Sequence, residues 1–163
     1  MIRILAIILK PFLKLLDFLT PLADLLARLW ISWMFFQAGL VKIQAWQSTV
    51  NLFTYEYSVP LLPPTTAAII GTVLELVLPV LLVLGLGGRI TILIFFLYNI
   101  VAAASYHYLW TPMGWSGLSQ HINWGLLLAL LMTHGPGKLS LDYWIRREYG
   151  HHLENKRESE PKE

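Results

Sequence analysis

The chain contains no cysteine. That excludes disulfides, thiolate nucleophiles, iron–sulfur clusters and zinc–thiolate sites built within it. Charge is scarce as well: 13% of the 163 residues are Asp, Glu, Lys or Arg, where a soluble domain carries about 25%. Twelve basic and ten acidic residues leave a formal +2, too small and too scattered to make the basic face that nucleic acid requires. There is no haem pair at convincing spacing, no flavin or nucleotide loop, and no internal repeat. What the chain does have is apolar: 56% hydrophobic residues and a mean hydropathy of +0.57. This is the composition of a one-domain membrane protein, and no soluble core accounts for it.

Four apolar stretches suit a bilayer core of about 30 Å, which takes roughly 20 helical residues. They run over about 22–43, 66–86, 90–109 and 118–133. The stretches lack the two-residue alternation of a membrane barrel, and isolated strands cannot satisfy their backbone in lipid. The fold class is therefore an all-α, four-helix membrane bundle. Thr20 with Pro21, and Pro63-Pro64 with Thr65-Thr66, read as helix starts. Gly85, Gly87 and Gly88 end the second span, and Gly135-Pro136-Gly137 ends the fourth. Trp46, Tyr55, Tyr57, Tyr106, Tyr108, Trp110 and Trp115 cluster near span ends, where amphipathic rings favour the interface.

The first 20 residues are not a signal peptide, because Lys10 and Pro11 break the apolar run and no small-residue cleavage site follows. Arg3, Lys10, Lys14 and Asp17 share about 60° of a helical wheel. Two readings stay open: a helix lying in the membrane surface, or a cytoplasmic amphipathic helix packed on the bundle. The expected organisation is an interfacial helix over 1–20, a membrane domain over 21–142 and a charged tail over 143–163. The polar stretch from Glu154 to Glu163 reads as disordered. Basic residues fall in the N-terminal segment, at Arg89 and in the C-terminal segment, while about 44–65 and 110–117 hold no Lys or Arg. By the positive-inside rule both termini are cytoplasmic.

Four groups are out of place in lipid: Arg28, Lys42, Glu75 and Asn99. Counting rise per residue puts Arg28 roughly 9 Å inside the cytoplasmic face, and Glu75 about 15 Å from the outer face. Asn99 falls near the midplane, and Lys42 at the outer end of the first span. A carboxylate at that depth costs about 2.5 kcal/mol or more unless it is paired or protonated. The expected buried polar centre is Arg28, Glu75 and Asn99, with the Arg28 side chain reaching Glu75. It reads either as a proton-coupled or ligand-binding centre or as a network that fixes helix register. Arg28, Ser32, Phe35, Gly39 and Lys42 form one helical stripe. A second expected cluster, at the outer mouth, is Lys42, Trp46, His107 and His121. Its histidines read as interface residues, as proton or ligand groups, or as metal ligands. Without cysteines or paired carboxylates the metal signal is weak, and no metal site is assigned. His134 is expected at the inner interface, and His151 and His152 in solvent. No catalytic residue can be named.

Phe35-Phe36-Gln37-Ala38-Gly39-Leu40-Val41-Lys42 follows Arg28 in the first span. Glu75 precedes the turn Leu84-Gly85-Leu86-Gly87-Gly88-Arg89, and Gly135-Pro136-Gly137-Lys138-Leu139-Ser140-Leu141-Asp142 follows the fourth span. In that order and spacing, over about 22–142, the chain resembles the DoxX family of small four-helix bacterial membrane proteins. The resemblance implies a bundle in the bacterial cytoplasmic membrane. It implies function loosely, since some relatives look like quinone-linked oxidoreductase subunits and others accompany stress, metal-handling or peptide-modifying proteins.

Two functional readings follow. One is a quinone-linked redox subunit that acts with a partner protein and binds the redox molecule in the bundle with no covalently held cofactor. The other is a non-catalytic membrane adaptor or carrier of a lipophilic small molecule.

Overall fold

The computed structural model describes the backbone of residues 2–149 and the side chains of residues 9–149. Everything described is helical or loop, apart from one isolated bridge between Tyr57 and Tyr106. The order is α1 (Ile2–Gln44), α2 (Trp46–Tyr55), α3 (Pro64–Leu84), α4 (Gly88–Ser105), a single 3-10 turn (His107–Trp110) and α5 (Trp115–His134). A further helical segment covers 141–149.

The helix break expected at residues 20 and 21 is absent. α1 runs on for 43 residues with Pro11 and Pro21 inside it, about 64 Å of helix at the standard rise. Thr20 is no N-cap: its hydroxyl donates back to the Leu16 carbonyl at 3.0 Å, beside the gap in hydrogen bonding that Pro21 leaves. Residues 9–20 are exposed throughout. The acidic and basic stripe of this region includes Arg3, whose side chain lies outside the described residues, as do His151, His152 and the segment 154–163.

Two other boundaries move. The loop expected over about 44–65 contains α2, which buries Thr49 and Phe53. The third apolar stretch stops at Ser105 rather than 109, because Tyr106 takes an extended conformation and pairs with Tyr57. By contrast, α3 ends where its glycine predicts. Gly85 is left-handed, the Leu86 amide donates to Leu81 O at 3.0 Å and the Gly85 amide to Leu82 O at 3.1 Å, a Schellman ending.

α1 packs mainly on α3, and α4 mainly on α5. The shared core is Ile31, Phe35, Leu78, Leu82, Ile92, Phe95, Leu128 and Leu131. Phe35 sits at its centre, edge-on to Phe95 at 4.8 Å and to Trp124 at 5.0 Å. Outward-facing positions are also apolar, among them Trp30, Trp33, Ile69, Val73, Val77, Ile90, Leu93 and Leu97. A surface of that kind requires an apolar solvent or a partner. By length and composition two helices are apolar enough to cross a membrane, Pro64–Leu84 and Gly88–Ser105. α1 and α5 are long enough, but polar residues lower their hydropathy, among them Arg28 and Lys42 on α1 and Gln120, His121 and Asn123 on α5.

Candidate functional site

Glu75 is 5% exposed and faces the bundle interior. Its partner is not Arg28. The Lys42 ammonium donates to Glu75 Oε2, and the Tyr98 hydroxyl donates to Oε1 at 2.9 Å. The Tyr98 oxygen is also 3.3 Å from the Gly71 carbonyl. A carboxylate carrying one cation and one phenol is the compensated form that a buried charge needs.

The Arg28–Glu75 pairing fails on helix register. α1 and α3 run antiparallel. A Cβ added at Gly39 would lie 3.1 Å from Glu75 Cβ, which sets those two residues at one level. Arg28 lies level with Leu82 and Gly85 instead. Those positions are up to ten residues beyond Glu75, or about 15 Å along the helix. Even a long side chain does not close that gap.

Arg28 is 1% exposed and binds main chain. Nη2 donates to the Leu139 carbonyl, and Nη1 lies 3.5 Å from Leu82 O. Asp24, one turn earlier on α1, faces His134 Nδ1 at 3.0 Å. Arg89 donates to Thr133 O at 2.9 Å, and the Asp142 amide reaches Gly85 O at 3.4 Å. Ser140 caps the helical segment that follows, accepting from the Tyr143 amide at 3.2 Å. The Gly135–Asp142 ending is thus folded back onto the end of the bundle that holds Arg28. It covers the buried Arg28 side chain there.

Asn99 is 3% exposed and belongs to neither group. Its Nδ2 donates to the His121 carbonyl at 2.9 Å, and its Oδ1 meets His121 Nδ1 at 2.8 Å. The expected three-residue centre is therefore three separate polar contacts, one for each of Arg28, Glu75 and Asn99. The expected outer-mouth cluster is kept only in part. Lys42 pairs with Glu75 and His121 with Asn99, and the Lys42 charge is close enough to act on the His121 ring. His107 lies exposed on the 3-10 turn, and Trp46 opens α2 at 38% exposure. Among the described residues, no group of three His, Asp or Glu side chains could hold a metal ion.

Beside the ion pair lies a cavity of about 490 Å³ between α1 and α2, lined by Gln37, Val41, Lys42, Thr49, Leu52 and Tyr57 among others. Its far wall begins an aromatic stack. Phe53 and Tyr57 lie parallel at 4.6 Å, as do Tyr57 and Tyr106. Burial, followed by the Glu75 charge, pushes the Tyr57 phenol well above its ordinary value, so it stays protonated and neutral.

A protein-family model described as DoxX matches residues 23–108, more than half of the chain. The chain belongs to the DoxX family. That makes it a membrane protein, in keeping with its apolar outer surface. The DoxX match contains Arg28, Lys42, Glu75, Tyr98 and Asn99, and stops before His121 and the Gly135–Asp142 ending. No curated protein matches the chain, and no solved structure does.

The residues that sequence reasoning missed are Tyr98, Tyr57, Asp24 and Ser140. Tyr98 carried no signal beyond its position next to Asn99. Asp24 had one, since it precedes Arg28 by four residues and so shares its face.

Proposed function

We propose that this DoxX protein is a quinone-linked membrane subunit that binds its redox molecule in the cavity beside Lys42 and passes electrons with a partner protein. The observation that carries the reading is a Lys42–Glu75–Tyr98 cluster buried in an apolar bundle and opening onto a cavity of about 490 Å³. Ligand sites have this character: mostly apolar walls with a few convergent polar groups. The residues suit a quinone headgroup. Lys42 has three donors and spends one on Glu75, which leaves hydrogen bonds for a carbonyl oxygen. Glu75 stands behind Lys42, outside the cavity lining, and holds the ammonium in place. Bound there, a quinone would supply two-electron chemistry that the chain's own side chains lack.

The membrane arrangement belongs to the same reading. Four helices cross a bacterial cytoplasmic membrane with both termini inside, the first 20 residues form an interfacial stretch of α1, and 143–163 is a cytoplasmic tail. α1 and α5 cross with their buried polar side chains turned into the bundle: Arg28 to Leu82 O and Leu139 O, Lys42 to Glu75, and His121 to Asn99.

The alternative is a non-catalytic adaptor or carrier, in which the Gly135–Asp142 ending and the Lys42–Glu75 pair serve only to hold the bundle together. Purified protein separates the two. Under the quinone reading, an added short-chain quinone raises Tm, and the Lys42→Met, Glu75→Gln double variant, which leaves no stranded charge, abolishes that rise. A wild-type protein that carries no quinone and shows no quinone-dependent shift supports the adaptor.

A further inference from the structure

The helical segment over 141–149 starts where the bundle ends. Ser140, just before it, is buried. Its hydroxyl donates to the Gly137 carbonyl at 2.7 Å and accepts from the Tyr143 amide at 3.2 Å, so the cap is fixed before the helix begins. The Asp142 amide reaches Gly85 O at 3.4 Å, and a Cβ added at Gly88 would lie 3.3 Å from Asp142 Oδ2. Gly85 and Gly88 bound the turn between α3 and α4, the two helices apolar enough to cross a membrane. The first turn of the segment is therefore held at the level where the hydrocarbon stops. From Tyr143 to Tyr149 every residue is exposed.

The exposed side chains are sorted by character. On a helical wheel Leu141, Trp144, Ile145 and Tyr149 share about 140°. Tyr143, Arg146 and Arg147 take the opposite arc. Glu148 falls on the apolar arc near its C-terminal end, which leaves Leu141, Trp144 and Ile145 as the continuous part of the strip. A short helix with an apolar strip and arginines opposite it suits an interface, with the strip in the acyl boundary and the basic groups among the headgroups. The strip also adjoins the outer surface of the spans, where Leu84 and Ile90, next to the two glycines, are exposed apolar residues.

We infer that the segment 141–149 lies in the headgroup layer of an anionic leaflet, with Trp144 and Ile145 in the acyl boundary and Arg146 and Arg147 on lipid phosphates. A guanidinium suits phosphate because its fork donates two parallel hydrogen bonds. Indole and phenol rings favour the same layer. A protein partner would have to reach the strip at a level where lipid already stands, so the leaflet is the occupant. The inference rests on residence in a membrane and not on quinone binding at Lys42.

The chain has no cysteine, so a single introduced one takes a nitroxide label uniquely. Ile145→Cys and Tyr143→Cys, both at exposed positions, are labelled in the full chain and placed in nanodiscs of phosphatidylcholine with phosphatidylglycerol. Oxygen partitions into the acyl region, and a nickel chelate stays in water. The label at 145 should relax faster with oxygen than with the chelate, and the label at 143 should do the reverse. Arg146→Gln combined with Arg147→Gln should lower the ratio of embedded to free label at 145 about 30-fold, the equivalent of about 2 kcal/mol for two basic residues at an anionic surface. Chelate access at 145 equal to that at 143, a label at 145 shielded from both reagents by a second copy or another protein, or embedding unchanged by the two arginine substitutions would overturn the inference.

Discussion

Arg28 is the largest fully buried side chain among the described residues, and what it holds is main chain. A guanidinium suits that task, because it keeps its charge and has five donors in a fixed fork. Its contacts to Leu139 O and Leu82 O tie the C-terminal ending to α3. Arg28→Met keeps most of the volume and removes the donors. Hydrogen bonds to a charged group contribute about 1.5–3 kcal/mol each. Tryptic cleavage after Lys138, which is exposed, should therefore speed up at least about fivefold, the factor that corresponds to about 1 kcal/mol of easier opening. An unchanged cleavage rate would mean that Asp24 and Arg89 hold the segment without Arg28.

Between elements, the deciding contact is where α1 meets α3. A Cβ added at Gly39 would come within 2.9 Å of Leu76 Cγ and Cδ2, and 3.1 Å of Glu75 Cβ. The helices approach this closely because the stripe has no side chain at that point, and the approach brings Lys42 to Glu75. Gly39→Ala should force the helices apart and lower stability by about 1–3 kcal/mol, the usual range for overpacking. Thermal unfolding in detergent measures it, and a quinone-induced Tm shift, if present in the wild type, should weaken in parallel.

The same contact shows what could and could not be read from the sequence. The 4-3-4-3 spacing of Arg28, Ser32, Phe35, Gly39 and Lys42 gave the face of α1 correctly, and Arg28, Ser32, Phe35 and Gly39 are indeed buried. Periodicity reports the angle around a helix and says nothing about the offset between two helices. Depth counted from assumed span ends had Arg28 reaching the midplane carboxylate, yet α1 does not start at residue 21. Gly85 was legible as a helix end because the left-handed conformation there is a local matter. The Asn99–His121 pair was not, because it depends on how α4 meets α5 across 22 residues of sequence.

At the scale of the whole molecule, polar groups lie along the inside of a bundle whose outside is apolar. The closed end holds Asp24, Arg28, His134 and the ending over 135–142, and farther along sit the Lys42–Glu75–Tyr98 cluster and the Asn99–His121 pair. Family membership and the apolar surface place this arrangement in a membrane, where each buried charge must find a partner inside the protein. The central claim is that Glu75 is paired with Lys42. A double-mutant cycle with Lys42→Met and Glu75→Gln, read as unfolding free energy in detergent, tests it most directly. Each single change should destabilise by about 3–5 kcal/mol, the usual cost of stranding one member of a buried pair, less whatever protonation recovers. The double mutant should lose less than the sum of the two, with a coupling of about 1–3 kcal/mol, while Arg28→Met combined with Glu75→Gln should be additive. Additivity between Lys42 and Glu75, or coupling between Arg28 and Glu75, would contradict the account.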